Sequence, residues 1–180
     1  IPTKALLKSA QVFEYLKHAN DYGLTIKEFD KDFDAVVKRS RDVAEGMSKG
    51  VQFLMKKNKI DVISGYGTLK TGKKVDVDGK EYSANHIIIA TGARSRELPN
   101  LPQDGKKVIG YRKAMTLEKQ PKKIVIVGSG AIGVEFAYFY NSMGTDVTIV
   151  EYMPRIVPIE DEDVSKQLER SFKKVGIKIL

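Results

Sequence analysis

The run Ile124-Val125-Ile126-Val127-Gly128-Ser129-Gly130-Ala131-Ile132-Gly133 constrains the fold of this chain more than any other. Its four β-branched residues suit a strand covered on both faces. They lead straight into Gly-x-Gly-x-x-Gly and then an apolar helical pattern. A second apolar strand, Val147-Thr148-Ile149-Val150, closes on Glu151, which lies 18 positions after Gly133. Each part has a mechanical duty in holding a dinucleotide. Gly128 lets the chain turn sharply out of the strand. Gly130, without a Cβ, lets the backbone approach a pyrophosphate seated on the helix N-terminus, where Ala131 and Ile132 begin the helix. Gly133 allows the helix to pack closely on the strand. A glycine motif by itself is weak; the strand, the helix and the acid at this distance make it specific.

Glu151 also bears on which dinucleotide is held. A carboxylate at that strand end accepts hydrogen bonds from a ribose diol and repels a 2′-phosphate, which favours NAD over NADP. Tyr152-Met153-Pro154 places no arginine beside it, although Arg155 lies four positions on.

Composition narrows the class. The 180 residues are 42% hydrophobic, enough for a buried core. The formal charge of +8, from 31 basic and 23 acidic residues, is scattered in pairs such as Lys56-Lys57, Lys122-Lys123 and Lys173-Lys174. Nucleic-acid binding needs that excess gathered on one face, so it ranks last among the readings. No run approaches a membrane span of roughly 20 apolar residues, and no secretory signal opens the chain. With no cysteine there is no disulfide, no thiolate metal site and no thiol nucleophile within the chain. His18 and His86 read as surface or structural residues.

The pattern predicts a helix from Pro2 to about Leu16, ended by Asn20-Asp21-Tyr22-Gly23. A longer helix follows, with Phe33, Val36, Val37, Val43, Ala44, Met47, Val51 and Leu54 as one apolar stripe. Gly46 and Gly50 inside it would permit close packing. Strands are expected at Asp61-Val62-Ile63, at Val75-Asp76-Val77 before the hairpin signal Asp78-Gly79, near Glu81-Tyr82, and at Ile87-Ile88-Ile89-Ala90. Residues 94–107 read as a crossover, and 111–117 as a short helix. Asp161-Glu162-Asp163 begins a last helix whose apolar face is Val164, Leu168, Phe172 and Val175. Gly176 ends that helix before the strand Ile177-Lys178-Ile179-Leu180.

These segments resemble the flavoprotein disulfide reductases. The resemblance rests on Ile1-Pro2-Thr3-Lys4-Ala5-Leu6-Leu7, on Ile87 to Gly92 ending in Ala-Thr-Gly, and on Gly128 to Glu135 with Glu151. Val134-Glu135-Phe136 and Met153-Pro154-Arg155 favour the dihydrolipoamide dehydrogenase branch. The resemblance implies an α/β fold of two Rossmann-like dinucleotide-binding units, three-layered with mainly parallel sheets. Residues 1–113 would be part of an FAD-binding domain, and 114–180 the amino-terminal part of an NAD-binding domain.

It further implies an oxidoreductase using FAD and NAD. Electrons from protein-bound dihydrolipoamide would pass through an active-site disulfide and FAD to NAD. The partner would be the lipoyl-bearing acyltransferase of 2-oxo acid dehydrogenase complexes. The full enzyme would be a homodimer in a bacterial cytoplasm or a mitochondrial matrix. In such enzymes a Cys-x-x-x-x-Cys pair immediately precedes Ile-Pro-x-Lys. The chain therefore reads as an internal piece, with no catalytic residue of its own, little affinity for FAD and no dithiol turnover. By the same resemblance Lys4 reaches the flavin ring and Glu135 pairs with it beside the nicotinamide. Thr91, Gly92 and Ala93 pass close to FAD, and Gly67 makes a backbone contact on its adenine side. The competing reading, which the lack of cysteine supports, is a non-catalytic module that binds NAD without reacting.

Overall fold

A computed structural model describes all 180 residues. The chain divides into two compact units, one of residues Ile1–Glu45 with Asn100–Leu180 and one of Gly46–Pro99.

In the first unit, helix α1 (Pro2–Lys17) carries proline in its first turn, where the missing N–H has no helical partner to lose. Leu6 and Ala10 of α1 are buried. A short 3-10 turn, Ala19–Tyr22, follows and is stopped by Gly23 at φ 71°. Helix α2 (Phe33–Lys57) starts behind Asp32, whose carboxylate accepts from the Ala35 amide at 3.0 Å. In this unit α2 buries Val37 and Ser40, and the Phe33 ring lies 6.1 Å from that of Phe139.

After the short helix α3 (Tyr111–Ala114) come β4 (Lys123–Val127), α4 (Ala131–Ser142), β5 (Asp146–Val150), α5 (Glu162–Lys174) and β6 (Lys178–Ile179). The three strands form a parallel sheet in the order β4-β5-β6, with Ile124 opposite Val147 and Ile149 opposite Ile179. Parallel neighbours need a crossover, and α4 and α5 provide one each. Val147 and Ile149 are fully buried and share a core with Leu6, Phe136, Phe139 and Tyr140. Each large side chain so covered contributes roughly 1.5–3 kcal/mol. Val125 and Val127 alternate to the other side of the sheet and remain exposed.

Helix α5 begins as its charges predict, with the Asp161 carboxylate accepting from the Asp163 amide at 2.8 Å, and ends at Gly176 with φ 87°. Its buried face is corrected. Val164 and Val175 are exposed, and Ser165 is buried alongside Phe172 and the partly covered Leu168. Positions 165, 168 and 172 follow the i, i+3, i+7 stripe of a helix, and burying the small Ser165 brings the helix close to its neighbours.

The second unit holds the remainder of α2 and an antiparallel meander, β1 (Gly67–Lys70), β2 (Lys74–Val77) and β3 (Lys80–Ser83). The Asp78-Gly79 turn forms as expected, with φ of 51° and 83°, the pair of positive angles that matches hairpin twist. Three expectations fail here. Met47, Val51 and Leu54 of the α2 stripe are exposed, and the space beside Gly46 and Gly50 is open. Asp61-Val62-Ile63 is not a strand; pairing begins at Gly67. Ile87-Ile88-Ile89-Ala90 is not a strand either, and Ile88 and Ile89 are exposed. Both runs have strand composition, but a strand exists only through a ladder partner, and neither sheet of the chain offers them one.

Thus the chain is α/β, with its Rossmann-like parallel sheet in the first unit and an antiparallel sheet in the second.

Candidate functional site

The parallel sheet brings the glycine loop and the acidic strand end together. Gly128 leaves β4 at φ 95°, a conformation that requires glycine, and its amide donates to the Val150 carbonyl at 2.8 Å. A Cβ on Gly133 would sit inside the radius of the Gly128 carbonyl oxygen, so the helix approaches the loop as closely as glycine allows. Gly130 differs from both. It has an ordinary extended conformation, φ −65° and ψ 179°, and nothing lies within 4 Å of where its Cβ would be. The space beside it is open.

Ala131, Ile132 and Gly133 form the first turn of α4, and no side chain caps their amides. No acidic residue stands in that turn, so nothing there competes with an anion. The opposite end of α4 is closed by cations. Lys17 Nζ donates to the Ser142 carbonyl at 2.8 Å, Lys31 Nζ donates to that of Met143, and Gln120 reaches the same oxygen at 2.7 Å. Burial and the neighbouring Lys17 charge lower the Lys31 pKa. Both ends of the helix thus suit its dipole, the far end already compensated and the near end open.

Glu151 follows β5 and turns back onto the loop. One carboxylate oxygen, Oε2, accepts from the Ser129 amide at 2.8 Å and from the Ser129 hydroxyl at 2.5 Å. The other, Oε1, accepts from the Met153 amide at 2.9 Å. The Met153 amide and then the Ser129 hydroxyl hold its pKa below the ordinary carboxylate value, so it is ionised at neutral pH. A carboxylate offers about four acceptor positions. These donors take three, the Tyr152 amide adds its own support to the charged form, and about one position is left for a hydroxyl. Arg155, the one nearby cation noted in the sequence, is directed elsewhere. Its guanidinium donates to the Pro158 and Glu160 carbonyls at 3.3 and 3.4 Å and lies 4.0 Å from the Glu162 carboxylate.

Lys4 and Glu135, 131 positions apart, form an ion pair between the first turn of α1 and α4. The lysine side chain is 72% exposed, so the pair adds no more than about 1 kcal/mol to stability. Gly67, Thr91, Gly92 and Ala93 belong to the second unit. Gly92 adopts φ 77° with open space beside it, whereas a Cβ on Gly67 would meet Val75 at 3.3 Å, a packing reason for glycine that needs no ligand.

Three features were not legible in the sequence. Ser129, between two motif glycines, is fully buried and fixes Glu151; its short polar side chain was the available signal. Val157 takes φ 42°, unusual for a β-branched residue, and nothing in its neighbourhood of the sequence announces it. Tyr140 is buried at the core of α4 and donates its hydroxyl to the Ala114 carbonyl at 2.5 Å.

The family model for Pyridine nucleotide-disulphide oxidoreductase matches residues 1–180. Dihydrolipoyl dehydrogenases from Zymomonas mobilis and Chlorobaculum parvum are 47% and 48% identical to the chain over 100% and 99% of its length. The chain spans 40% and 39% of those two relatives, about two-fifths of each. Among solved structures, LpdA from Mycobacterium tuberculosis superposes with a TM-score of 0.87 at 26% identity, covering 100% of the chain and 41% of that protein. The flavoprotein disulfide reductase RclA from Escherichia coli gives 0.79 at 27% identity, over 99% of the chain and 38% of that protein.

Proposed function

The chain belongs to the pyridine nucleotide-disulphide oxidoreductase family, and from that we propose that it is part of a dihydrolipoamide dehydrogenase, contributing residues to an FAD site and an NAD site. The observation that carries this is the Glu151 carboxylate, ionised and hydrogen-bonded onto Ser129 of the glycine loop beside the open cradle at Gly130. Residues 1–113 would serve FAD and 114–180 would serve NAD.

Gly128, Gly130 and the amides of Ala131, Ile132 and Gly133 fit a diphosphate on the α4 N-terminus. The spare acceptor position on Glu151 fits a ribose hydroxyl, and its charge disfavours a 2′-phosphate. For FAD the supporting feature in the first unit is the Lys4 ammonium held by Glu135; in the second unit, taken by itself, it is Gly92, between Thr91 and Ala93, with open space beside it. In the full enzyme FAD would supply two-electron redox chemistry and NAD the capacity to take up hydride. Lys4 would contribute a fixed positive charge, and Glu135 would orient it. The dithiol exchange needs thiolates that these 180 residues do not contain. The full enzyme would act on dihydrolipoamide carried by an acyltransferase of 2-oxo acid dehydrogenase complexes, as a homodimer in a bacterial cytoplasm or a mitochondrial matrix. No helix of the chain is long and apolar enough to cross a membrane.

Calorimetric titration of the chain with NAD and with NADP tests the proposal. NAD is expected to bind at least about tenfold tighter, the effect of like charges brought together at a ribose site, and Glu151→Ala should remove most of that difference. Equal affinity of the unaltered chain for both nucleotides would overturn the assignment of Glu151.

A further inference from the structure

Ser129 makes more contacts than a loop residue between two glycines needs. Its amide and hydroxyl both donate to Glu151 Oε2, at 2.8 and 2.5 Å. Its own carbonyl and hydroxyl oxygens both face the Val157 amide, at 3.1 and 3.2 Å. The side chain is fully buried, so the hydroxyl exchanges none of these partners with water.

Val157 reaches that position only through a left-handed backbone. Its φ of 42° is positive, as are those of Lys59, Lys73 and Asp78, but Val157 is the one β-branched residue among them. Such a conformation persists where surrounding contacts over-determine it. Here they do: the Val157 amide is held by Ser129, and its carbonyl accepts from the Glu160 amide at 2.9 Å and the Ser165 hydroxyl at 3.4 Å. Ser165 is itself buried in the first turn of α5. A continuous line of hydrogen bonds therefore runs from Glu151 through Ser129 and Val157 to α5.

We propose that Ser129 is a positioning residue for nucleotide recognition: its hydroxyl fixes the rotamer of the Glu151 carboxylate, leaving an acceptor position on Oε1 beside the Met153 amide for a ribose hydroxyl, and so latches the end of β5 onto the glycine loop. The ribose part of this rests on the NAD reading given above; the latch does not. Ser129 touches no cofactor in this scheme and acts only through Glu151. Without the hydroxyl the carboxylate keeps the Ser129 amide on Oε2 and the Met153 amide on Oε1, but loses the one side-chain donor that fixes its rotamer. The amide of Val157 keeps the Ser129 carbonyl, so the fold survives the loss.

The test is a double-substitution cycle on the full 180-residue chain with Ser129→Ala, Glu151→Gln and the pair. Calorimetric titration with NAD should show affinity falling about tenfold in Ser129→Ala, the scale of a lost hydrogen bond to a charged group. In the Glu151→Gln background the same change should cost less than about twofold, because its route of action is gone. An equal loss in both backgrounds would mean that Ser129 acts structurally, and the proposal would fail. The second measurement needs no nucleotide: the Glu151 carboxyl carbon is followed by NMR as a function of pH. Its midpoint should rise in Ser129→Ala, since only hydrogen bonds lower it and burial opposes them. An unmoved midpoint overturns the latch. A raised midpoint in a chain that binds no NAD would uphold the latch and overturn the ribose role together with the site reading on which it rests.

Discussion

Gly130→Ala separates the ligand from the fold more sharply than any other single substitution in this chain. At φ −65° and ψ 179° alanine is unstrained, and the added methyl meets no atom within 4 Å. Alanine should gain about 0.4–1 kcal/mol by restricting the unfolded chain. It should lose a similar amount as a poorer helix N-cap than glycine. The net change in stability is therefore within about 0.5 kcal/mol.

Gly133→Ala is the contrasting control. Its methyl would overlap the Gly128 carbonyl oxygen, which is backbone and cannot rotate aside. Overpacking of that kind costs about 1–3 kcal/mol, which for a chain of this size lowers the melting temperature by roughly 2–12 °C. Gly128→Ala is a third case, with open space but φ 95°, and should cost about 1–2 kcal/mol in backbone strain. Thermal melts followed by circular dichroism should rank Gly130→Ala with the unaltered chain and both others below it. NAD titration should rank it differently. The methyl occupies the cradle a diphosphate would enter, so affinity should fall by at least about tenfold, the equivalent of roughly 1.4 kcal/mol. If Gly130→Ala binds NAD as the unaltered chain does, the cradle is not a phosphate site. If it melts with Gly133→Ala, the three glycines are not distinguished by the geometry used to separate them.

Two further outcomes concern stability alone. Tyr140→Phe removes a buried hydroxyl and leaves the Ala114 carbonyl without that donor, so urea unfolding should show a loss of about 1–2 kcal/mol; an unchanged midpoint would mean water replaces the phenol. Glu151 has a folded pKa below its ordinary value, so its contribution is fully present above the ordinary carboxylate pKa and is lost as pH falls through the lowered folded value. Urea midpoints measured from neutral to acid pH should therefore fall more steeply for the unaltered chain than for Glu151→Gln, and coincident profiles would refute the assigned hydrogen bonds.

Much of the first unit, and one turn of the second, was legible because the signals are local. The Gly-x-Gly-x-x-Gly loop, the β-branched strands β4 and β5, the acidic start of α5 and the Asp78-Gly79 turn each depend on a few consecutive residues. Short-range sterics and hydrogen bonding fix their conformations. The spacing from Gly133 to Glu151 is a longer-range signal. It survives because one crossover helix of ordinary length must return the chain to the adjacent strand.

What the sequence could not decide was which apolar surfaces find partners. Ile87-Ile88-Ile89-Ala90 has the composition of a buried strand and lies exposed, because strand formation depends on a ladder partner that composition does not encode. The α2 stripe keeps its period past Gly46, yet its covered residues lie before that point, since periodicity specifies a face and not what meets it. On α5 the buried face moved by one residue, from Val164 to Ser165, where a small side chain permits close approach. The role of Ser129 was likewise invisible: only folding places Glu151, Val157 and the glycine loop around one hydroxyl. Sequence alone determined the local backbone and the spacing of the nucleotide motif, because those follow from adjacent residues. Tertiary structure decided burial, the direction of the Glu151 carboxylate and the strained turn at Val157, because each depends on atoms distant in the chain.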